Sequence, residues 1–332
     1  MTGQKRVSLL LIAVVMLLAA CGGRQRYAQF GGYAQGGTWS VKANLHGVKE
    51  KPAKIQAHIE EILFEIDTTL SGYNKGSQLS RHNRGEEIVP SAMFTEMYEK
   101  AYAFWEETHG ALDCAAGPLF DIWGFGFKTD SLPSDEKVRE TLAQCGMALH
   151  DKQQVRLNYN AIAQGYSCDK VAAYLYSIGV KDMLVDIGEI YCDGLNPAGK
   201  PWRIGIDRPK DGNNAPGADL DGIWESDGTP QGVVTSGNYR KFYIKDGVKY
   251  SHTIDPRTGY PVQHNLLSAT IVAPSALEAD AYATYCMVIG PEAAKAFIES
   301  RPDLEGYLIM ADGHPGSEDM SEWASPGFRL SR

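Results

Sequence analysis

The hydrophobic period of this chain changes near residue 181, and that change limits its possible architectures more than any other feature. Before it, apolar residues recur at helical spacing: Ile55, Ile59, Ile62, Leu63 and Ile66 share one face of a helix ending at Leu70. Residues 92–107 and 134–149 read as further helices. Ala163 to Ile178 reads as a small-residue helix with Gly179 as its C-cap. After the change, DMLVDIG, PWRIGID, GVVTSG, YRKFYIKDG and VKYSHTID are short β-rich runs with turns between. Asp246-Gly247, set between two alternating runs, signals a hairpin. LLSATIVAP and EGYLIMAD add strands. Between them Ser275 to Ile289 returns to helix, stopped by Gly290-Pro291, and a short helix follows to Ser300. Trp39 to Leu45 alternates as an early strand, and residues 207–232 read as a long surface loop. Such a mixture predicts an α+β fold of mixed and antiparallel sheets flanked by helices.

The N-terminus carries a different message. Lys5 and Arg6 precede an apolar run from Val7 to Leu18, too short to span a bilayer comfortably, and the run ends Leu18-Ala19-Ala20-Cys21. This is a secretory signal of residues 1–20, and its ending resembles the lipobox of bacterial lipoproteins, in which the cysteine is lipidated and becomes the first mature residue. An ordinary cleaved signal with Cys21 incidental is the plainer alternative. Residues 21–37, rich in Gly and Gln, read as a flexible tether, with the folded domain at 38–332. The mature protein is expected to be exported and held to a membrane by its lipid, at the inner membrane facing the periplasm.

Two compositional facts narrow the function. Net charge is -9, against a general nucleic-acid binder, although backbone amides and a bound metal can still hold an anionic cofactor. The cysteines beyond Cys21 (Cys114, Cys145, Cys168, Cys192 and Cys286) form no CxxC pair, so no zinc framework is expected. They read as buried small apolar side chains, with one disulfide left open.

Four stretches could carry chemistry. In ALEADAYATYC, Asp280 and Thr284 lie four apart on one helical face, a carboxylate and a hydroxyl suited to Mg²⁺. In LNYNAIAQGYSCD, Asn158 and Asn160 break an apolar segment before a helix, and Gly165 permits close approach. In LSGYNKGS, Tyr73 sits on a turn, placed to stack on a planar ligand. In YSHTIDPRTGYP, His252 precedes a rigid Pro/Gly corner. Each has a bland reading as well: a solvated acid, a helix cap, a core tyrosine, a strand corner. There is no P-loop, GxSxG or HExxH.

Taken in order, these pieces resemble the ApbE family of flavin transferases over roughly residues 35–311. The resemblance is carried by Gln35-Gly36-Gly37-Thr38-Trp39, and by Ser71-Gly72-Tyr73-Asn74 with Ser77, Leu79 and Asn83. It continues in Asp113 with Gly117-Pro118-Leu119 and Trp123-Gly124-Phe125, in Asn160-Ala161-Ile162-Ala163-Gln164-Gly165-Tyr166 with Asp169, and in Thr235-Ser236-Gly237-Asn238-Tyr239. His252 with Ile254-Asp255-Pro256-Arg257-Thr258-Gly259, and Ala279-Asp280-Ala281 with Ala283-Thr284, complete it. The resemblance implies a T-fold-related domain that binds FAD as substrate with Mg²⁺ and moves FMN onto a threonine or serine hydroxyl of an acceptor flavoprotein, releasing AMP. It implies Asp280, Thr284 and the Ala161 carbonyl as metal ligands. Gln35, Tyr73, Ala111, Leu112, Asp113, Asn158, Gln164 and Ile254 would be FAD contacts, with His252 and Asp280 catalytic. It further implies membrane redox complex subunits or exported flavoproteins as acceptors. The chain departs from the family's usual pattern at Asn158 (Asp), Gln164 (Lys), Asn238 (Asp) and in VDIGEI, one glycine short. Two alternatives stay open at this stage: FAD hydrolysis to FMN and AMP, and flavin binding without turnover.

Overall fold

The computed structural model describes residues 26–125, 132–210, 212–213, 215–239, 242–245, 248–312 and 319–332. The N-terminal half carries strands β1 (Tyr27–Ala34) and β2 (Gly37–Asn44) and helices α1 (Pro52–Leu70), α2 (Gln78–Asn83), α3 (Ala92–Glu107), α4 (Gly117–Ile122), α5 (Asp135–Leu142) and α6 (Ala163–Ser177). Strands then dominate: β3 (Met183–Asp186), β4 (Ile190–Asp193), β5 (Arg203–Asp207), β6 (Leu220–Glu225), β7 (Gln231–Gly237), β8 (Phe242–Lys245), β9 (Val248–Ser251), β10 (Ile254–Asp255), β11 (Tyr260–Pro261) and β12 (Leu266–Ala273). Helices α7 (Ala276–Ile289) and α8 (Pro291–Glu299) precede β13 (Glu305–Ala311), β14 (Met320–Ala324) and β15 (Leu330–Ser331).

Among the described residues the central sheet has eight strands in the order β1-β2-β3-β4-β7-β12-β13-β14, with neighbours antiparallel throughout. Helices cover one face, where Met97, Phe104, Tyr166 and Leu277 pack on Ile271 and Leu308. The three-stranded sheet β15-β6-β5 covers the other, where Trp202, Ile206 and Trp224 pack on Cys192, Val272 and Tyr307. Because both faces are covered, β12 is buried along nearly its whole length, and LLSATIVA lacks polar alternation. Helix α7 is buried along most of its length for the same reason: it lies between the sheet and α6. The architecture is α+β, as the change in period predicts.

Three expectations need correction. Residues 27–37 are not tether. Tyr27–Ala34 pairs along its whole length with Gly37–Asn44, and Gln35 (φ 52°) and Gly36 (φ 82°) form the two-residue turn with positive φ that suits a hairpin. Gly32 serves packing, since a Cβ there would lie 2.8 Å from the Trp39 indole nitrogen. The folded body therefore begins by Tyr27 rather than at 38. Residues 134–149 are not one helix. α5 stops at Leu142, and Gly146 (φ 105°) turns the chain to bond with Ala115, leaving only a short helical turn at Met147–Leu149. The 207–232 segment is not all loop, because β6 runs through it to pair with β5. In the predicted β8–β9 hairpin Lys245 does pair with Val248; the turn residues Asp246-Gly247 lie outside the described residues, as do residues 1–25, on which the expected signal and Cys21 fall. The described cysteines are all free, so no disulfide forms among them.

Candidate active site

Helices α6 and α7 cap each other. The α6 N-terminus has no side-chain cap of its own at Ile162, and the Gly165 N–H donates instead to Asp280 Oδ2 on α7 at 3.0 Å. In return, Asp169 on α6 accepts from the Ala276 and Leu277 N–H groups at the start of α7, at 2.8 and 3.0 Å. The exchange requires close contact: a Cβ on Gly165 would stand 2.3 Å from the Ala276 carbonyl oxygen. It places Asp280, only 5% exposed, one turn into α7, with Thr284 one turn further on. Thr284 Oγ1 lies 3.4 Å from Ser236 Oγ on β7. Burial pushes the Asp280 carboxyl up to about 8 and that of Asp169 up to about 6. A buried carboxylate so reluctant to ionise is well matched to a cation that would hold it charged.

The segment before α6 is a compact turn. Asn158 Oδ1 accepts from the Asn160 N–H at 3.0 Å, and the Asn158 N–H donates to the Cys114 carbonyl at 2.7 Å. This holds Ala161 against the 111–114 segment. There the Asp113 carboxylate accepts from the Ala115 N–H (2.7 Å) and the Met147 N–H (2.9 Å), so it fixes the loop; its carboxyl is raised by burial.

Tyr73 stands on a tied turn. Ser71 Oγ accepts from the Asn74 N–H, Asn74 Nδ2 donates to Asp67, and Ser77 caps α2 while donating to the Ser71 carbonyl. The ring is 64% exposed, and its hydroxyl accepts from Asn160 Nδ2 at 3.2 Å. On the opposite wall, His252 follows β9, with the Phe125 ring edge-on to it at 6.4 Å. The corner after it is locked: Asp255 binds the Arg257 guanidinium through two contacts of 2.9 Å, and Trp123 Nε1 donates to the Gly259 carbonyl at 2.8 Å. Gly259 (φ 82°) is pressed against Val138, and Ile254 is buried in the same apolar cluster.

These elements enclose a cleft of about 370 Å³. Tyr73, Ala111, Leu112, Asp113, Asn158, Ala161, His252, Ile254, Asp280 and Thr284 all line it, so most residues named from the sequence meet there. Gln35 and Gln164 do not. They line an adjoining cavity of about 970 Å³, which among the described residues shares Tyr73 and Asn160 with the first. Gln35 Nε2 donates to Ser167 Oγ at 2.5 Å, and Gln164 Nε2 to the Ile187 carbonyl at 3.1 Å. Gly188 and Gln164 touch here: a Cβ on Gly188 (φ 87°) would fall 2.3 Å from Gln164 Nε2.

Glu189 lines the first cleft and was not singled out from the sequence. Its signal was the tight Ile187-Gly188-Glu189 turn, which is closed by an Ile187 N–H to Glu189 carbonyl bond of 2.9 Å. Met287 and Val288 have no such signal, being apolar wall residues without a polar signature, and Phe125 enters from the sequence only as part of Trp123-Gly124-Phe125. No Lys or Arg is among the described residues lining the cleft, and no group of three or more His, Cys, Asp and Glu among the described residues is arranged for a metal. A cation here would rest on mixed oxygen ligands with a single carboxylate.

The ApbE family model matches residues 35–308. The FAD:protein FMN transferase of Escherichia coli K12 is 33% identical over 320 residues, covering 90% of this chain and 87% of that protein. The solved flavin transferase ApbE from Vibrio cholerae aligns with TM-score 0.76 at 32% identity, covering 90% of this chain and 98% of that one. The apo flavinyl transferase ApbE of Pseudomonas stutzeri aligns with TM-score 0.77 at 31% identity, covering 91% and 95%. With the motifs converging on one cleft and the match running over most of its length, the chain belongs to the ApbE family.

Proposed function

We propose that this protein is an FAD:protein FMN transferase. One observation carries the reading: the Asp280 carboxylate, the Thr284 hydroxyl and the His252 imidazole line a single cleft, with Tyr73 exposed at its lip. An elongated dinucleotide reaching both cavities must pass Tyr73 and Asn160, the residues they share. The aromatic face suits the isoalloxazine. Ala111, Leu112, Asp113, Asn158 and Ile254 supply contacts in the first cleft, and Gln35 and Gln164 in the second.

The residues fit Mg²⁺, with Asp280, Thr284 and the Ala161 carbonyl as ligands: hard oxygens, one of them a buried carboxylate whose charge needs a partner. When bound, the ion would neutralise charge on the pyrophosphate oxygens, which no lining Lys or Arg among the described residues does. His252 accepts the proton of the acceptor hydroxyl. That oxygen bonds to the phosphorus of the FMN half, the bond to the bridging oxygen breaks, and AMP departs with the electron pair. The locked Asp255–Gly259 corner holds the imidazole's backbone in place. The Gly165–Asp280 bond aims the carboxylate from the opposite side.

Cys21 is read as lipidated, with residues 1–20 as its signal peptide. The mature enzyme would stand on the periplasmic face of the inner membrane and modify subunits of membrane redox complexes or exported flavoproteins. Incubation with FAD, Mg²⁺ and a candidate acceptor tests the activity. Covalent flavin fluorescence on the acceptor supports transfer, and free FMN with AMP but no labelled acceptor identifies a hydrolase. His252→Ala is expected to slow transfer at least about 100-fold while leaving FAD affinity within about threefold; equal loss of both would remove its role as base.

A further inference from the structure

The corrected N-terminus fixes how the domain sits. With β1 starting at Tyr27, Cys21 is joined to Arg26 by a few residues spanning at most about 17 Å when extended. With a lipid on Cys21, Arg26 would stay within about that distance of the membrane surface.

Arg26 lies at one end of the central sheet. The Leu45 N–H donates to the Arg26 carbonyl at 2.7 Å, and the Asn44 N–H to the Asp182 carbonyl at 2.9 Å. The Leu195 N–H donates to Asp182 Oδ1 at 3.0 Å, and the Asn196 N–H to the Lys200 carbonyl at 2.8 Å. The start of β1, the 45–51 segment, the start of β3 and the loop after β4 therefore lie together. They carry exposed Arg26, His46, Lys49, Lys51, Lys181 and Lys200. The acids there are half-buried and tied to neighbours: Glu50 accepts from the Tyr174 hydroxyl, Asp182 from Asn44, and Asp193 from the Tyr176 hydroxyl, while Asp227, beside this end, is exposed. In a chain of net charge -9, one end presenting this many long cationic side chains is a departure from the average surface.

The cofactor cleft stands at the other end of the same strands. The Gln35-Gly36 turn closes β1 eight residues away, about 27 Å along the strand, and Glu189 and Gly237 mark the same far end of the β3–β4 turn and β7. We propose that the Arg26 end of the central sheet lies on an anionic phospholipid bilayer, holding the FAD cleft on the side away from the membrane. The cationic side chains meet the phosphate headgroups while their stems lie along the interface. The inference rests on lipidation of Cys21 and is independent of the transfer chemistry.

The test uses the mature full-length chain purified with its lipid, the intact mass establishing acylation of Cys21. It is reconstituted in vesicles of phosphatidylcholine, or of phosphatidylcholine with phosphatidylglycerol, and each lysine is read by amine acetylation and mass spectrometry. With phosphatidylglycerol present, Lys49, Lys51, Lys181 and Lys200 should acetylate several-fold more slowly than in detergent, with exposed Lys75 and Lys152 unchanged. Raising salt to about 1 M, where the Debye length is about 3 Å, should erase much of that protection. An acylated chain with all six lysines labelled alike, or with Lys75 protected instead, would overturn the orientation and leave the anchor standing. An unacylated mature chain would overturn the anchor and this orientation with it. Flavin transfer on the same preparation reports separately on the enzymatic reading.

Discussion

Replacing Gly165 by Ala adds one methyl group at the point where the two site helices touch. The added Cβ would meet the Ala276 carbonyl oxygen at 2.3 Å, the Ala276 carbonyl carbon at 2.7 Å and Asp280 Cβ at 2.8 Å. Each is about 1 Å inside ordinary contact, and two of the three are backbone atoms that no rotamer change can move. α7 cannot easily retreat, because on its other side a Cβ on Gly232 would lie 2.3 Å from the Ser275 carbonyl oxygen, so sheet and helix are already in close contact. Overpacking of this kind costs about 1–3 kcal/mol. Loosening the Gly165–Asp280 bond at 3.0 Å leaves a buried carboxylate oxygen short of a donor, at about 1–3 kcal/mol more. Better helix propensity returns about 1 kcal/mol. A net loss of about 3 kcal/mol is expected in urea unfolding. FAD affinity in Mg²⁺ should fall at least about tenfold, because Asp280 moves with α7. Combined with Asp280→Ala, the two effects on FAD binding should be strongly non-additive, since both act through one carboxylate. A Gly165→Ala protein as stable as the parent, with unchanged FAD affinity, would refute the account of the α6–α7 contact.

Other outcomes follow from the same geometry. Burial raises the Asp280 carboxyl to about 8 and that of Asp169 to about 6, against about 3.9 in the unfolded chain. Between those values the unfolded chain has released protons that the folded one retains. Their contribution to stability is therefore complete below pH about 4 and is lost as pH rises through about 6 and then about 8. In chelator, Asp280→Asn should flatten that decline, and a parent whose stability does not fall as pH rises above about 4 would contradict the burial argument. Saturating Mg²⁺ should restore the parent at high pH by about 3 kcal/mol at a hundredfold excess over Kd, and should do little for the variant, as read by urea midpoints. Tyr73→Ala should leave stability within about 0.5 kcal/mol, because the ring is 64% exposed, and weaken FAD about 3–10-fold by fluorescence titration. Unchanged FAD affinity would remove Tyr73 from the binding surface.

Local order gave up most of the architecture. The spacing of Ile55, Ile59 and Leu63 commits α1 to one buried face, and Gly290-Pro291 ends α7 where expected. Motif order pointed to the site, because residue types suited to a metal, a base and a stacking surface recur in one sequence of short segments. The misreadings share a cause. The glycines of 27–37 suggest flexibility by composition, yet Gly32 is small because Trp39 lies over it, a contact between strands. The run at 134–149 was helical by pattern, but the Asp113 carboxylate draws the Met147 N–H away from it.

Spacing along a helix is set within a few residues, so the sequence alone determined that Asp280 and Thr284 share a face and that a rigid corner follows His252. Tertiary structure decided what those residues meet. Asp280 receives its hydrogen bond from Gly165, 115 positions away, and Asn160 reaches Tyr73 across 87. Gln35 and Gln164 belong to a neighbouring cavity because the β1–β2 turn and α6 approach each other there. Contacts over such separations depend on how two packed faces of a sheet fit together, and no local pattern in the chain encodes that fit.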